Sequence, residues 1–329
     1  MDDAKGFMPD DAVIAGIRKD IEQYETERAS AYTAVKWRVP VFLAVLIVPA
    51  VILVFAFNSF ADPNEQWFSA PHMFLYVGTF AAAIFVYRAA MRPATKLKQS
   101  FRAHVLPIVF GFIKEMRYTN GARPDSFDRL PKQATGSFNR QTFDDVIAGK
   151  YEDFPFELYE AHLVQGSGKS SQTVFRGVVV VFETIAPFPG LLVASRRAGQ
   201  VSKFFRDMFG TGGLQQVESG VAGLDELYEF RTDNPGAARP LVAGRLAKAL
   251  QWLGESWPGE PARVALEGRD GFLLLPGGKN FFELPGISQP LDYKAHIEPM
   301  VADMVQLLAT AALVRKVGQP DDVQEAAKS

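Results

Sequence analysis

The sequence predicts an α+β protein: a two-helix transmembrane hairpin followed by a mainly antiparallel α+β cytoplasmic domain. Three observations carry this. Two long uncharged apolar runs lie close together before residue 90. A basic flank stands on the outer side of each run, with an acidic link between them. Beyond residue 120 the pattern changes to short apolar runs punctuated by Gly and Pro.

Val39 to Phe57 is 19 residues without a charge, and 14 of them are Val, Leu, Ile or Phe. As a helix it reaches about 28 Å, close to the hydrocarbon thickness of a bilayer. Pro40 and Pro49 weaken insertion without preventing it. Phe68 to Tyr87 is also uncharged and richer in small residues. The link Asn58 to Trp67 holds Asp62 and Glu65 and no Lys or Arg. Lys36 and Arg38 precede the first run; Arg88, Arg92, Lys96, Lys98 and Arg102 follow the second. The bias of basic residues places both flanks, and so both chain ends, in the cytoplasm. A cleaved signal peptide is not expected, because 38 mixed residues precede the apolar run.

The expected division is a cytoplasmic amphipathic helix (1–38), spans at 39–57 and 68–87 joined by an extracytoplasmic loop (58–67), a juxtamembrane helical segment (88–120), the α+β domain (121–318) and a polar tail (319–329). Val13, Ile17, Ile21 and Tyr24 give the first helix its apolar stripe; Phe101, Val105, Ile108, Phe112 and Met116 do the same from Pro93 to Tyr118. The two are expected to pack together. Gly78 and Ala82, four apart, allow close helix packing, within the hairpin or between copies. His72, beside Pro71, reads as an interfacial imidazole. The basic cluster Arg88, Arg92, Lys96, Lys98 and Arg102 serves as a topology signal or as a contact for anionic lipid head groups.

In the α+β domain, Val178 to Phe182 is a run apolar on both faces, as in a buried strand. Gly190 to Ala194 reads as another strand, after a turn at Pro187 to Pro189. Arg263 to Glu267, Phe272 to Leu275 and Phe281 to Leu284 read as a meander, with turns at 268–271 and 276–280. Arg239 to Gly254 and Lys294 to Val317 read as helices. The charge-free part of the last, Met304 to Val314, is too short to span a bilayer.

Composition excludes some chemistries. Lys plus Arg (35) balances Asp plus Glu (37), which argues against nucleic-acid binding. The absence of Cys removes disulfides, thiolate metal sites and cysteine nucleophiles. Gly166-Ser167-Gly168-Lys169-Ser170 lacks the first glycine of a P-loop and precedes a strand instead of a helix, so it reads as a hairpin turn. Gly210-Thr211-Gly212-Gly213 reads as a loop. His72, His104, His162 and His296 share no metal-ligand spacing. The acid pairs Asp144-Asp145 and Glu152-Asp153 read as solvated surface. No catalytic residue, metal or cofactor is expected.

Phe143-Asp144-Asp145 with Ile147-Ala148-Gly149, Phe156 to Ala161, and Thr173-Val174-Phe175-Arg176-Gly177 together resemble the bacterial domain-of-unknown-function family 3137. The resemblance implies a bacterial inner-membrane protein with two spans and a cytoplasmic domain, and it brings no catalytic residues. Arg176, entering a buried strand, requires a carboxylate or carbonyl partner, or else serves an anion or a protein partner. Two functions follow as expectations. The first is a non-catalytic membrane-anchored module for a protein partner or for its own copies. The second is a membrane-tethered enzyme or small-ligand sensor, marked by a pocket that gathers Arg176 with a His or a carboxylate.

Overall fold

The computed structural model describes residues 11–60, 67–101, 106–151, 154–197, 213–257, 259–278, 281–282 and 285–316. The chain forms two compact units. One is Asp10–Val109 with Leu284–Ile297; the other is Phe110–Glu283 and Glu298–Ser329 with Met1–Pro9.

In the first unit, α1 runs unbroken over Asp11–Phe60. The separate helices expected at 1–38 and 39–57 are therefore one. Pro40 and Pro49 lie inside it, each removing the N–H that the carbonyl four residues earlier would accept. Next come α2 (Ala70–Ala90) and α3 (Arg92–Ser100), each with Pro in its first turn, where no intrahelical N–H is needed. His72 is fully buried between α1 and α2; its ring nitrogens face Ser69 Oγ at 2.7 Å and the Val54 carbonyl at 3.2 Å. The flanking helices do meet: Tyr24 of α1 and Phe101 stack edge to face at 5.1 Å. The segment 284–297 is tied to α1 by polar bonds. Glu25 accepts the Leu291 N–H at 2.6 Å, and Arg28 donates to the Ile287 carbonyl at 2.7 Å.

The helix expected from Pro93 to Tyr118 ends early. After a four-residue α4 (Leu106–Val109) the chain turns into β1 (Lys114–Asn120), which places Met116 in a strand. The α+β unit thus begins before residue 121.

Its core is a seven-stranded antiparallel sheet, in order β1, β2 (Arg140–Tyr151), β3 (Phe154–Gln165), β4 (Gln172–Arg196), β6 (Tyr228–Thr232), β5 (Gln215–Val217), with β7 (Arg263–Pro276) also paired to β4. β4 joins the two strands expected at 173–182 and 190–194 into one of 25 residues. Its first half pairs with β3, its last residues with β6, and β7 runs along its other edge. β7 corrects the meander in the same way: Gly268 to Gly271 is not a turn. Phe188 of β4 pairs with Gly268 and Glu183 with Asp270, so Thr184 to Pro187 bulge opposite Arg269. The glycines bend β7 to follow that bulge. Phe281 and Phe282 lie in a turn, and residues 283–284 of the third expected strand fall outside the described residues.

Both sheet faces are apolar. Tyr159, Phe175, Val179, Phe272 and Leu274 form one core with Phe127 and with Ala134 of α5 (Lys132–Thr135). On the other face Phe154 lies under the Arg315 guanidinium of α9 (Glu298–Arg315), at 5.0 Å. The remaining helices are α6 (Ala222–Leu227), α7 (Pro235–Ala243) and α8 (Arg245–Ser256).

Among the described residues, three helices are long and apolar enough, by length and composition, to cross a membrane: Ala12–Phe60, Ala70–Ala90 and Tyr293–Arg315. Their apolar windows differ in burial, at 0%, 6% and 56%. The third, which the charge-free count had set aside as too short, passes on length, yet it is the one that covers the sheet.

Candidate functional site

The site is built from a break in a pattern. Along β3, Phe154, Phe156 and Leu158 alternate onto one buried face, and the next two positions in that phase are Glu160 and His162. Register then assembles neighbours. Thr142 of β2 and Arg176 of β4 pair with His162 on either side, so the three form a row across three strands on one face. A bulge between Phe143 and Val146 turns Asp144 and Asp145 toward that row. The result is a cavity of about 260 Å³ lined by Thr142, Asp144, Glu160, His162, Arg176 and Gly177, among others.

The carboxylates are held. Asp145, with no exposure, accepts from the Tyr118 hydroxyl and from Asn120 Nδ2 at 3.0 Å. Asn120 Nδ2 also donates to Asp144 at 2.8 Å. Glu160, 8% exposed, accepts the backbone N–H groups of Phe281 and of Phe282, the latter at 3.3 Å. One oxygen each of Asp144, Asp145 and Glu160 lies within 4.8 Å of the others. Burial pushes the Glu160 carboxyl up to about 7; the Phe281 and Phe282 N–H groups oppose that rise, and Asp145 and Asp144 add to it. An oxygen-only trio suits a hard divalent cation. Here, however, Asp145 and one Glu160 oxygen already accept hydrogen bonds, and a guanidinium shares the cavity.

Arg176 is exposed, which corrects the expected buried ion pair: its side chain makes no ion pair or hydrogen bond among the described residues. The burial at this point belongs to its neighbours Phe175 and Gly177. Asp144-Asp145 is not simply solvated surface either, since Asp145 is wholly enclosed. His162 faces Thr173 Oγ1 at 3.1 Å. Arg88, Arg92, Lys96 and Lys98 are all exposed, whereas Arg102 lies outside the described residues. Gly78 is exposed with nothing within 4 Å of an added Cβ, so it packs against none of the described residues; Ala82 is half-buried. The Gly166–Ser170 stretch joins β3 to β4 through a 3₁₀ turn at Gly168–Ser170. His104, Glu152-Asp153, the link acids Asp62 and Glu65, residues 210–212 of the glycine-rich loop and the polar tail lie outside the described residues. Sequence reasoning missed Asp145 and Glu160. For Glu160 the signal was present: an acid in phase with three buried apolar residues.

No family model matches the chain, and no curated protein matches it. Among solved structures, the mycobacterial trehalose monomycolate transport factor A aligns over 59% of this chain and 88% of its own, at 11% identity and a TM-score of 0.32. Similarity at that level transfers neither fold nor function.

Proposed function

We propose that this protein is anchored in a bacterial inner membrane by a hairpin of α1 and α2, with both ends cytoplasmic. Its α+β unit is then displayed as a non-catalytic module for a protein partner or for further copies of itself, a reading motivated by that anchoring and by the absence of catalytic residue spacing in the sequence. One observation carries the anchoring. Apart from Ile185 and Leu227, the exposed large apolar side chains of the described residues all lie between Val13 and Tyr87, and most lie on the two uncharged runs. An apolar surface of that extent requires a cover, and lipid fits its length and its basic flanks. Arg88, Arg92, Lys96 and Lys98 stand exposed after α2, where they meet anionic head groups.

The chain has no Cys, so single-cysteine reporters need no background removal. A membrane-impermeant maleimide added to intact spheroplasts is expected to label Asn64→Cys and to leave Ser171→Cys unlabelled until lysis. Labelling of Ser171→Cys from outside would overturn the topology. The module reading is tested separately, by mild-detergent purification and native mass measurement. A stoichiometric partner or a defined homo-oligomer is expected; a solitary monomer would count against it.

A further inference from the structure

We propose that the polar cavity on β2, β3 and β4 binds an amino-acid-sized zwitterion, its ammonium group against Asp144 and Glu160 and its carboxylate against Arg176. This does not depend on the proposed membrane anchoring.

The argument is one of charge and cost. Glu160 occupies a position that the phase of β3 would give to an apolar residue, and burying an acid there is unfavourable unless it is partnered. The fold keeps it there with two backbone N–H donors and brings it within 4.8 Å of two more carboxylates. Like charges so close favour a cationic visitor. Arg176 lines the same cavity and makes no ion pair among the described residues, although acids share its walls. Its guanidinium is therefore disposed to meet an anionic group.

These features narrow the ligand by elimination. A divalent cation suits the carboxylates but is repelled by the guanidinium in the same space. A simple anion suits Arg176 but is repelled by the acids. Only a molecule with both signs satisfies both walls. Size agrees: about 260 Å³ lies below the range of sites for drug-sized molecules, roughly 300–1,000 Å³. The backbones of Glu160 and Arg176 are diagonal neighbours on adjacent strands, about 7–8 Å apart, so a compact ligand bridges them. Thr142 and His162 line the same cavity and add hydrogen-bonding groups to it. The glycine at 177 and the one at 277 keep the floor low.

The test uses the full chain in detergent micelles at pH 8, by thermal shift and then calorimetric titration. The probes are the twenty protein amino acids singly, with acetate, methylammonium and magnesium chloride as one-sign controls. At least one amino acid is expected to bind saturably, while none of the controls does. Arg176→Ala and Glu160→Gln are each expected to weaken it by tenfold or more, with Ser171→Ala unchanged. Retention of the unliganded melting midpoint within a few degrees shows that each variant folds; should one fail, Thr142→Val and His162→Gln supply the same readout. Binding of magnesium alone, binding indifferent to the cavity variants, or no binding by any amino acid would each overturn the proposal.

Discussion

Gly177 of β4 lies so close to β7 that a Cβ built on it would sit 1.9 Å from the Leu275 carbonyl oxygen. Its φ of +153° is also one that side chains rarely adopt. Both facts belong to the end of the β4–β7 pairing, where Gly177 lies opposite Pro276 and the Gly277 N–H donates to the Arg176 carbonyl at 2.9 Å. The glycine that closes the cavity floor is the one that lets β7 approach.

Gly177→Ala is therefore expected to cost about 3 kcal/mol or more, from backbone strain and overpacking together. Gly220→Ala is the control. It has a φ of +78° but nothing within 4 Å, and it should cost only about 1 kcal/mol. Chemical denaturation of both variants checks the difference. Equal losses would mean that the close approach does not matter.

Glu160 makes stability fall with rising pH. Its carboxyl titrates near 7 in the folded chain against an ordinary 4.5, so the native state holds a proton that the unfolded state has lost between those values. That contribution is complete below pH 4.5 and gone above pH 7, a change of up to about 3 kcal/mol. The groups facing it are Asp144, Asp145, Tyr118, His162 and Arg176, with the N–H groups of Phe281 and Phe282. Glu160→Gln keeps an acceptor for those N–H groups and is expected to flatten this part of the profile. An unchanged slope in denaturation series from pH 4 to 8 would assign it elsewhere.

Arg263 is 4% exposed, packs over Phe175 at 5.6 Å and donates to the Ala134 carbonyl at 3.2 Å. Burial lowers its pKa, and Glu260, a distant partner at 3.7 Å, opposes this. One carbonyl and one long ion pair return little of the cost of burying that guanidinium, so an apolar side chain of similar length is tolerated. Arg263→Met should lie within about 1 kcal/mol of the parent, whereas Arg263→Ala should lose about 3 kcal/mol through the space it leaves. Thermal melts of both decide it.

Phosphatidylglycerol added to neutral micelles is expected to raise the melting temperature of the parent, and replacing Arg88, Arg92, Lys96 and Lys98 together with Gln is expected to abolish that rise. At about 1 kcal/mol per basic residue near an anionic surface, the loss should be graded when they are removed singly, and 0.5 M salt should mimic it. A lipid-induced rise that survives the fourfold change would remove these residues from the interface.

The sequence made the apolar helices legible because their signal is local: nineteen uncharged residues need no tertiary context. The buried strand at Val178 to Phe182 was legible for the same reason. What failed was punctuation. The division between residues 38 and 39 follows the last charge before the apolar run, yet α1 passes straight through it. Gly268 and Gly271 look like a turn, yet they serve a bend whose cause, the bulge of β4, lies more than eighty residues away. The site was hidden in the same manner. Asp144, Glu160 and Arg176 stand on three strands, and only the pairing register and the bulge at 143–146 bring them to one cavity. Periodicity announced Glu160 as an oddity without naming its neighbours.

The shared bend of β4 and β7 also bears on how the gene can change. Within Val178 to Phe182, one inserted residue would exchange the two faces of β4 and turn every side chain beyond it the wrong way. Between Thr184 and Pro187 the strand already runs out of step with Arg269, so an added residue enlarges a loop and leaves both flanking registers intact. Insertions and deletions among descendants of this sequence should therefore collect at that bulge, while the glycines opposite stay fixed in number.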